Sequence, residues 1–132
     1  MSSEDFDIET KVSRASAHDV QPTSWGKLVW QVSAEQKNSE LMTVGICYID
    51  PGQENGRHYH PDCEEVLAVW RGHIVHTWED KEVEMREGDT ITIPAGVMHN
   101  ARNIGDGVAE LAICFSSAYR TTVAEEEGSG PA

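Results

Sequence analysis

The 132-residue sequence predicts an all-β fold, a sandwich or barrel of short antiparallel strands. Three observations carry this. Apolar and β-branched segments recur with a turn signal roughly every 8–12 residues. No stretch holds a helical period of useful length. The longest apolar run is only a few residues, too short to span a bilayer.

The elements follow in order. Residues 1–22 are polar and acidic, end at Pro22, and read as an N-terminal arm outside the domain. Trp25–Ser33 alternates weakly. Leu41–Asp50 is β-rich, with Met42, Val44, Ile46 and Tyr48 on one face, and Pro51-Gly52 breaks it. Glu65–Trp70 is a strand closed by Arg71-Gly72. His73–Glu79 is another, turned by Glu79-Asp80-Lys81. Val83–Arg86 leads into Gly88-Asp89, and Thr90–Ile93 runs into Pro94-Ala95-Gly96. His99–Asn103 and Val108–Ser116 flank the Gly105-Asp106-Gly107 turn. Residues 23–120 thus read as one domain, and 121–132 as a disordered acidic tail.

Ten Lys and Arg against 23 Asp and Glu give a net charge of −13. Such a charge repels phosphate backbones and argues against nucleic acid and anionic membranes as partners. The three cysteines (Cys47, Cys63, Cys114) form no CxxC pair. They read as reduced thiols, and the acidic start lacks the character of a secretory leader, so a cytoplasmic protein is expected.

The chemistry concentrates in a few residues. His58 and His60 flank Tyr59, and on a strand i and i+2 share a face, so both imidazoles aim one way. Pro61-Asp62-Cys63 makes a turn before Glu65. His99 follows the Pro94-x-Gly96 turn. Three His and one carboxylate suit a divalent transition metal with positions left open for a ligand.

The spacing resembles a known family. Gly52, five residues, His58, one, His60, four, Glu65, six and Gly72 match the first motif of the cupin superfamily. Gly88, five residues, Pro94, one, Gly96, two, His99, three and Asn103 match the second, fifteen residues further on. The chain is identified as a small single-domain member over residues 25–118. The resemblance implies a double-stranded β-helix, the jelly-roll barrel of two antiparallel sheets. It implies His58, His60, Glu65 and His99 as ligands of one metal, with Fe, Mn, Ni, Co, Cu or Zn all suited. It prefers Glu65 to its neighbour Glu64, which parity then sends outward. Gly52, Gly72, Gly88, Pro94 and Gly96 are read as turn residues, and Asn103 as a turn pin.

Alternation extends the reading to a mostly apolar cavity. Met42, Ile46, Leu67, Trp78 and Phe115 are expected to line the substrate pocket, with Ile74 and His76 inward beside Trp78. His76 and Tyr48 are polar, expected inward, and are the candidate catalytic side chains. Arg57 and Arg102 have the wrong parity to face inward, which disfavours a phosphorylated or multiply carboxylated substrate. The expected function is a metal-dependent enzyme acting on a small, fairly apolar carbonyl or enol-type molecule, dioxygenase-like with iron. The alternatives are a non-redox isomerase, cyclase or lyase of a small carbonyl or sugar-derived compound, or a non-catalytic small-molecule-binding module. Val66, Ala68 and Trp70 are expected to face outward, and such a patch predicts a homodimer.

Overall fold

A computed structural model describes residues 7–125. Its strands are β1 (Asp19–Pro22), β2 (Gly26–Val32), β3 (Thr43–Ile49), β4 (His58–Tyr59), β5 (Glu65–Arg71), β6 (His73–Trp78), β7 (Lys81–Arg86), β8 (Thr90–Ile93), β9 (His99–Asn103), β10 (Ala109–Phe115) and β11 (Val123–Ala124). They form a six-stranded sheet, β1-β2-β3-β10-β5-β8, and a five-stranded sheet, β11-β4-β9-β6-β7. Every pairing is antiparallel. The crossovers β3-β10-β5 and β4-β9-β6 make this the jelly-roll barrel that the motifs imply. Among the described residues no helix is long and apolar enough to cross a membrane.

The core lies between the sheets. Leu28, Ile49, Ile74, Leu111 and Phe115 have no exposed surface, and Leu67, Val69 and Ile113 join them. Burying each of these side chains contributes roughly 1.5–3 kcal/mol. Leu67 and Val69 on β5, Ile74 and His76 on β6, and Leu111, Ile113 and Phe115 on β10 all point inward as alternation predicts.

On β3 the alternation is reversed. Thr43, Gly45, Cys47 and Ile49 are buried, whereas Val44, Ile46 and Tyr48 are half-buried on the outer face and Met42 is exposed. The reason is Trp30. A Cβ on Gly45 would lie 2.6 Å from the Trp30 ring and 2.8 Å from the Val29 carbonyl. The inner face of β3 therefore carries small side chains to admit the indole. The larger apolar residues face out, where Ile46 pairs with Val29 and Ala112, and Ala112 pairs with Ala68. Tyr48 pairs with Lys27, whose ammonium lies 4.8 Å from its ring centroid.

Parts of the expected arm and tail join the barrel. The last four residues of the expected arm form β1 on the edge of the larger sheet. Residues 121–125 of the expected disordered tail include β11, which pairs with the ligand strand β4, and residues 126–132 lie outside the described residues.

Candidate metal centre

The two sheets bring the motif residues together from opposite walls. His58 on β4 pairs directly with His99 on β9, and Trp78 on β6 pairs with His99 from the other side. Glu65 heads β5 in the facing sheet, opposite Phe115. His60 follows β4, and its carbonyl accepts the Gly96 N–H at 2.9 Å, which ties the Pro94-Ala95-Gly96 turn to the His58-x-His60 segment. Gly96 has φ 84°, a conformation that disfavours a side chain. Asn103 donates from Nδ2 to the carbonyls of Ile49 and Gly107, both at 2.8 Å, while its Oδ1 accepts from Gly105 N–H at 2.9 Å.

His58, His60, Glu65 and His99 are all buried, and one donor atom from each lies within 4.8 Å of the others. Glu64 is exposed. Backbone carbonyls fix the imidazoles. Nδ1 of His58 donates to Gly56 O at 2.6 Å, that of His60 to Thr121 O at 3.0 Å, and that of His99 to Val97 O at 2.9 Å. This arrangement places the Nδ1 proton on each ring and leaves each Nε2 lone pair for the centre of the cluster. Glu65 Oε1 sits 3.0 Å from His99 Nε2 and 3.3 Å from His60 Nε2. His60 Nε2 is buried with no hydrogen-bond partner among the described residues. An orphaned nitrogen aimed at a carboxylate and two further imidazoles fits a divalent ion, which these four residues would hold.

The electrostatics favour the same occupant. Burial lowers the His58 pKa to about 3, helped by the neighbouring His99, so the ring is neutral at ordinary pH. Burial would raise the Glu65 pKa, but the His60 and His99 imidazoles against the carboxyl outweigh it and hold it well below its usual range. Burial would lower the His99 pKa, yet the hydrogen bond to Glu65 raises it. A neutral His58 ring beside an ionised carboxylate is ready for a cation, which would displace the proton that Glu65 favours on His99.

Beside the cluster lies a cavity of only about 10 Å³, lined by Leu67, Leu111, Ile113, Cys47, Asn55, His76 and Asn100 together with His58, Glu65 and His99. That volume suits about one water. The expected apolar pocket is therefore filled. Leu67 lines the cavity, and Phe115 instead packs edge-on against His60 with centroids 4.9 Å apart. Trp78 is half-buried next to His99 on the inner face. Met42, Ile46 and Tyr48 stand away from the site on or beyond the outer face of β3, for the reason Trp30 and Gly45 give.

His76 is different. It is fully buried, its ring stacks on His99 at 5.5 Å and 14°, and neither nitrogen has a hydrogen-bond partner among the described residues. Burial, with His99 beside it, lowers its pKa to about 4.

Several residues here carry no sequence signal. Asn55 accepts from Ala101 N–H through Oδ1 at 2.9 Å and from Asn100 Nδ2 through its carbonyl at 2.8 Å, walling the cavity. Residues 117–125 strap the barrel mouth. Asp62 accepts from Thr121 N–H at 3.1 Å and Thr121 Oγ1 at 2.7 Å, and Arg57 pairs with Glu125 at 3.1 Å. Arg57 and Arg102 do face outward, and Arg102 pairs with Glu82. The strap supplies the inward arginine that parity did not find, Arg120, whose guanidinium lies 4.1 Å from the Trp30 ring centroid.

The matches to known proteins agree with this geometry. A relative from Streptomyces halstedii, Protein SchB, is 35% identical over 68 residues, covering 52% of this chain and 49% of its own length. Polyketide synthase CurC from Streptomyces cyaneus is 29% identical over 73 residues, 55% of this chain and 47% of its own. The chain thus spans about half or less of the curated relatives it matches. Among solved structures, the Lactobacillus farciminis oxalate decarboxylase formate complex superposes with TM-score 0.77 at 20% identity, covering 83% of this chain and 34% of that one. A Bacillus subtilis oxalate decarboxylase studied for its Mn(II) centres gives TM-score 0.75 at 20% identity, covering 81% of this chain and 30% of that one. At that identity the likeness shows the fold. The family model described as a cupin domain matches residues 45–115, a span that contains all four candidate ligands, and the chain belongs to the cupin family.

Proposed function

We propose that the chain is a metal-dependent enzyme that moves a proton on a small, enolisable carbonyl compound. One observation carries this reading: a neutral His76 with neither nitrogen hydrogen-bonded faces the same cavity as three of the four candidate ligands, His58, Glu65 and His99. The bound ion would polarise a chelating carbonyl or enol oxygen as a Lewis acid, and iron would add redox chemistry with O₂. His76 would take the proton from the carbon beside that carbonyl. Stacking on His99 fixes its plane, and Leu67, Leu111 and Ile113 keep water out. The cavity is too small for a substrate, so admission requires the strap over His60 to give way. Likeness to a protein named a polyketide synthase supports an enolisable ketone as the substrate class.

The test uses hydroxyacetone as the probe, with the protein loaded separately with zinc and with iron. Zinc-loaded protein without O₂ is expected to speed deuterium exchange at the carbinol carbon at least about 10²-fold over buffer, and His76→Gln to abolish this while keeping the metal. O₂ uptake by the iron form with no exchange by the zinc form would favour the dioxygenase instead. Neither activity with either metal would leave a binding module.

We also propose that a second copy covers the outer face of the larger sheet. Val20, Val29, Ile46, Ala112 and Ala68 form one cross-strand row there, and Val66 and Trp70 are exposed beside it. A two-fold pairing places this flat apolar face against itself.

A further inference from the structure

A second cavity, of about 450 Å³, opens beside the end of the larger sheet where Thr43 pairs with Phe115 and Phe115 with Glu65, with Trp30, Ser33, Gln36, Thr43, Ala118 and Arg120 among its walls. Three of its neutral polar side chains are spent within the protein. Ser33 Oγ and Gln36 Oε1 bond each other at 2.9 Å, Gln36 Nε2 donates to Trp30 O at 2.7 Å, and Thr43 Oγ1 donates to Ser117 O at 2.8 Å. Arg120 is the exception. Its Nη1 donates to Thr122 Oγ1 at 2.9 Å, but its buried Nε has no partner, and it makes no ion pair among the described residues. A charged donor left unmatched in a desolvated place costs stability unless a ligand completes it. The guanidinium packs against two rings, 4.1 Å from the Trp30 centroid and 5.2 Å from that of Phe115. The Nε and Nη2 hydrogens share one edge, the edge that receives a carboxylate in bidentate fashion.

We propose that this cavity binds a small organic monocarboxylate with an apolar body. The carboxylate takes the Nε/Nη2 edge of Arg120 after a small shift of that side chain, and the apolar body lies along Ala34, Ala118 and Trp30. The charge around the cavity sets the selectivity. Exposed Asp19 and Glu35 stand on its rim, and Asp62 and Glu65 add negative potential at Arg120. Four carboxylates around one guanidinium leave the region net negative, so only direct contact with Arg120 holds an anion there, and a dianion is repelled about twice as strongly as a monoanion. The cavity shares no wall residue with the metal-ligand cavity, although Phe115 packs against both Arg120 and His60, and Thr122 Oγ1 lies 2.9 Å from Arg120 Nη1 and 3.3 Å from His60 Nδ1. It therefore does not depend on the proton-transfer reading.

The test is a titration of the full-length chain with benzoate, followed by calorimetry and by the indole N–H signals of the tryptophans. Saturable binding is expected, with one indole signal shifting, and it should persist after a chelator has removed the metal. Neutral benzamide and doubly charged phthalate should each bind at least tenfold more weakly. Arg120→Gln should weaken benzoate at least tenfold with metal content unchanged, and Arg120→Lys, which keeps the charge and the packed stem, should fall between. Absence of saturation in the tens of millimolar would overturn the proposal. So would unchanged affinity in Arg120→Gln, or binding that vanishes when the metal is removed, since benzoate would then sit on the ion.

Discussion

The two sheets of this barrel obey different rules. The five-stranded sheet is sided: His58, His76 and His99 face in, while outside Arg102 pairs with Glu82, and His73 and Arg86 with Glu84. The six-stranded sheet is apolar on both faces. Its inner face carries Leu28, Leu67, Leu111 and Phe115, and its outer face carries Val29, Ile46, Ala112 and Val66. Alternation separates the two faces clearly where one of them meets water, whereas in the two-faced sheet it holds on β5 and β10 and fails on β3. On β6 it places His76 and Trp78 correctly. On β3 it selects the bulkier set, Val44, Ile46 and Tyr48, which faces out because Gly45 must admit Trp30. The sided sheet presents His58, His76 and His99, and the two-faced sheet contributes Glu65, packing and, by our proposal, assembly.

The largest effect is expected on the inner face of the sided sheet. His99→Ala removes one imidazole and the hydrogen-bond partner of Glu65, and metal affinity should fall by more than about 10²-fold, the upper end for losing a mere supporting contact. The β circular dichroism should survive. Retained metal at one equivalent would detach His99 from the cluster.

Next in size is the pH dependence of the metal-free protein. His58 and His76 have folded pKa values of about 3 and about 4, lowered chiefly by burial, against 6.5 for a free ring. The unfolded chain takes up both protons near 6.5 while the folded chain refuses them. Their contribution is present above pH 6.5 and is lost as pH falls from there through about 4 and 3. His99 works with the opposite sign: burial opposes but Glu65 raises its pKa, so its contribution is full below 6.5 and fades as pH rises through the folded value. For these groups the urea midpoint should peak near pH 6.5 and decline toward pH 4 with a slope approaching two protons, about 2.7 kcal/mol per pH unit. A flat profile between pH 6 and 4 would show that the rings are already solvated.

Gly45→Ala tests the inner face of the two-faced sheet. With Trp30 ring carbons and the Val29 carbonyl inside 3 Å of the new Cβ, a loss of about 1–3 kcal/mol in urea unfolding is expected. Gly52→Ala, where nothing lies within 4 Å, should cost only the strain of its positive φ. Equal costs would mean that Trp30 does not set the register of β3.

The smallest effect belongs to the outer face. Trp70→Lys leaves the fold and the metal site untouched and should weaken self-association at least tenfold, read by light scattering across a dilution series. A wild-type chain that is monomeric at micromolar concentration would remove the second copy from that face.

How much was legible follows from where each signal resides. The ligand set was readable because four side chains with metal-binding chemistry sit at fixed spacings between turn residues. The strap was not. Thr121 contributes its backbone carbonyl to His60, a group every residue has, and β11 is two residues long in a polar stretch. Arg120 stood in what read as the end of the domain, and only the fold lays it on Trp30. Asn55 closes the cavity from a loop whose side chain has no periodic neighbour to betray its direction.

The central claim is that three Nε2 atoms and the Glu65 carboxylate form the metal site, with Nδ1 protons held by Gly56, Thr121 and Val97. X-ray absorption of the zinc-loaded protein tests it most directly. The account predicts only nitrogen and oxygen neighbours at about 2.0–2.2 Å, with multiple scattering from three imidazoles, and the same spectrum in His76→Gln. A sulfur neighbour at about 2.3 Å would contradict it, because Cys47 lines the same cavity and would then be the ligand in place of one of the four.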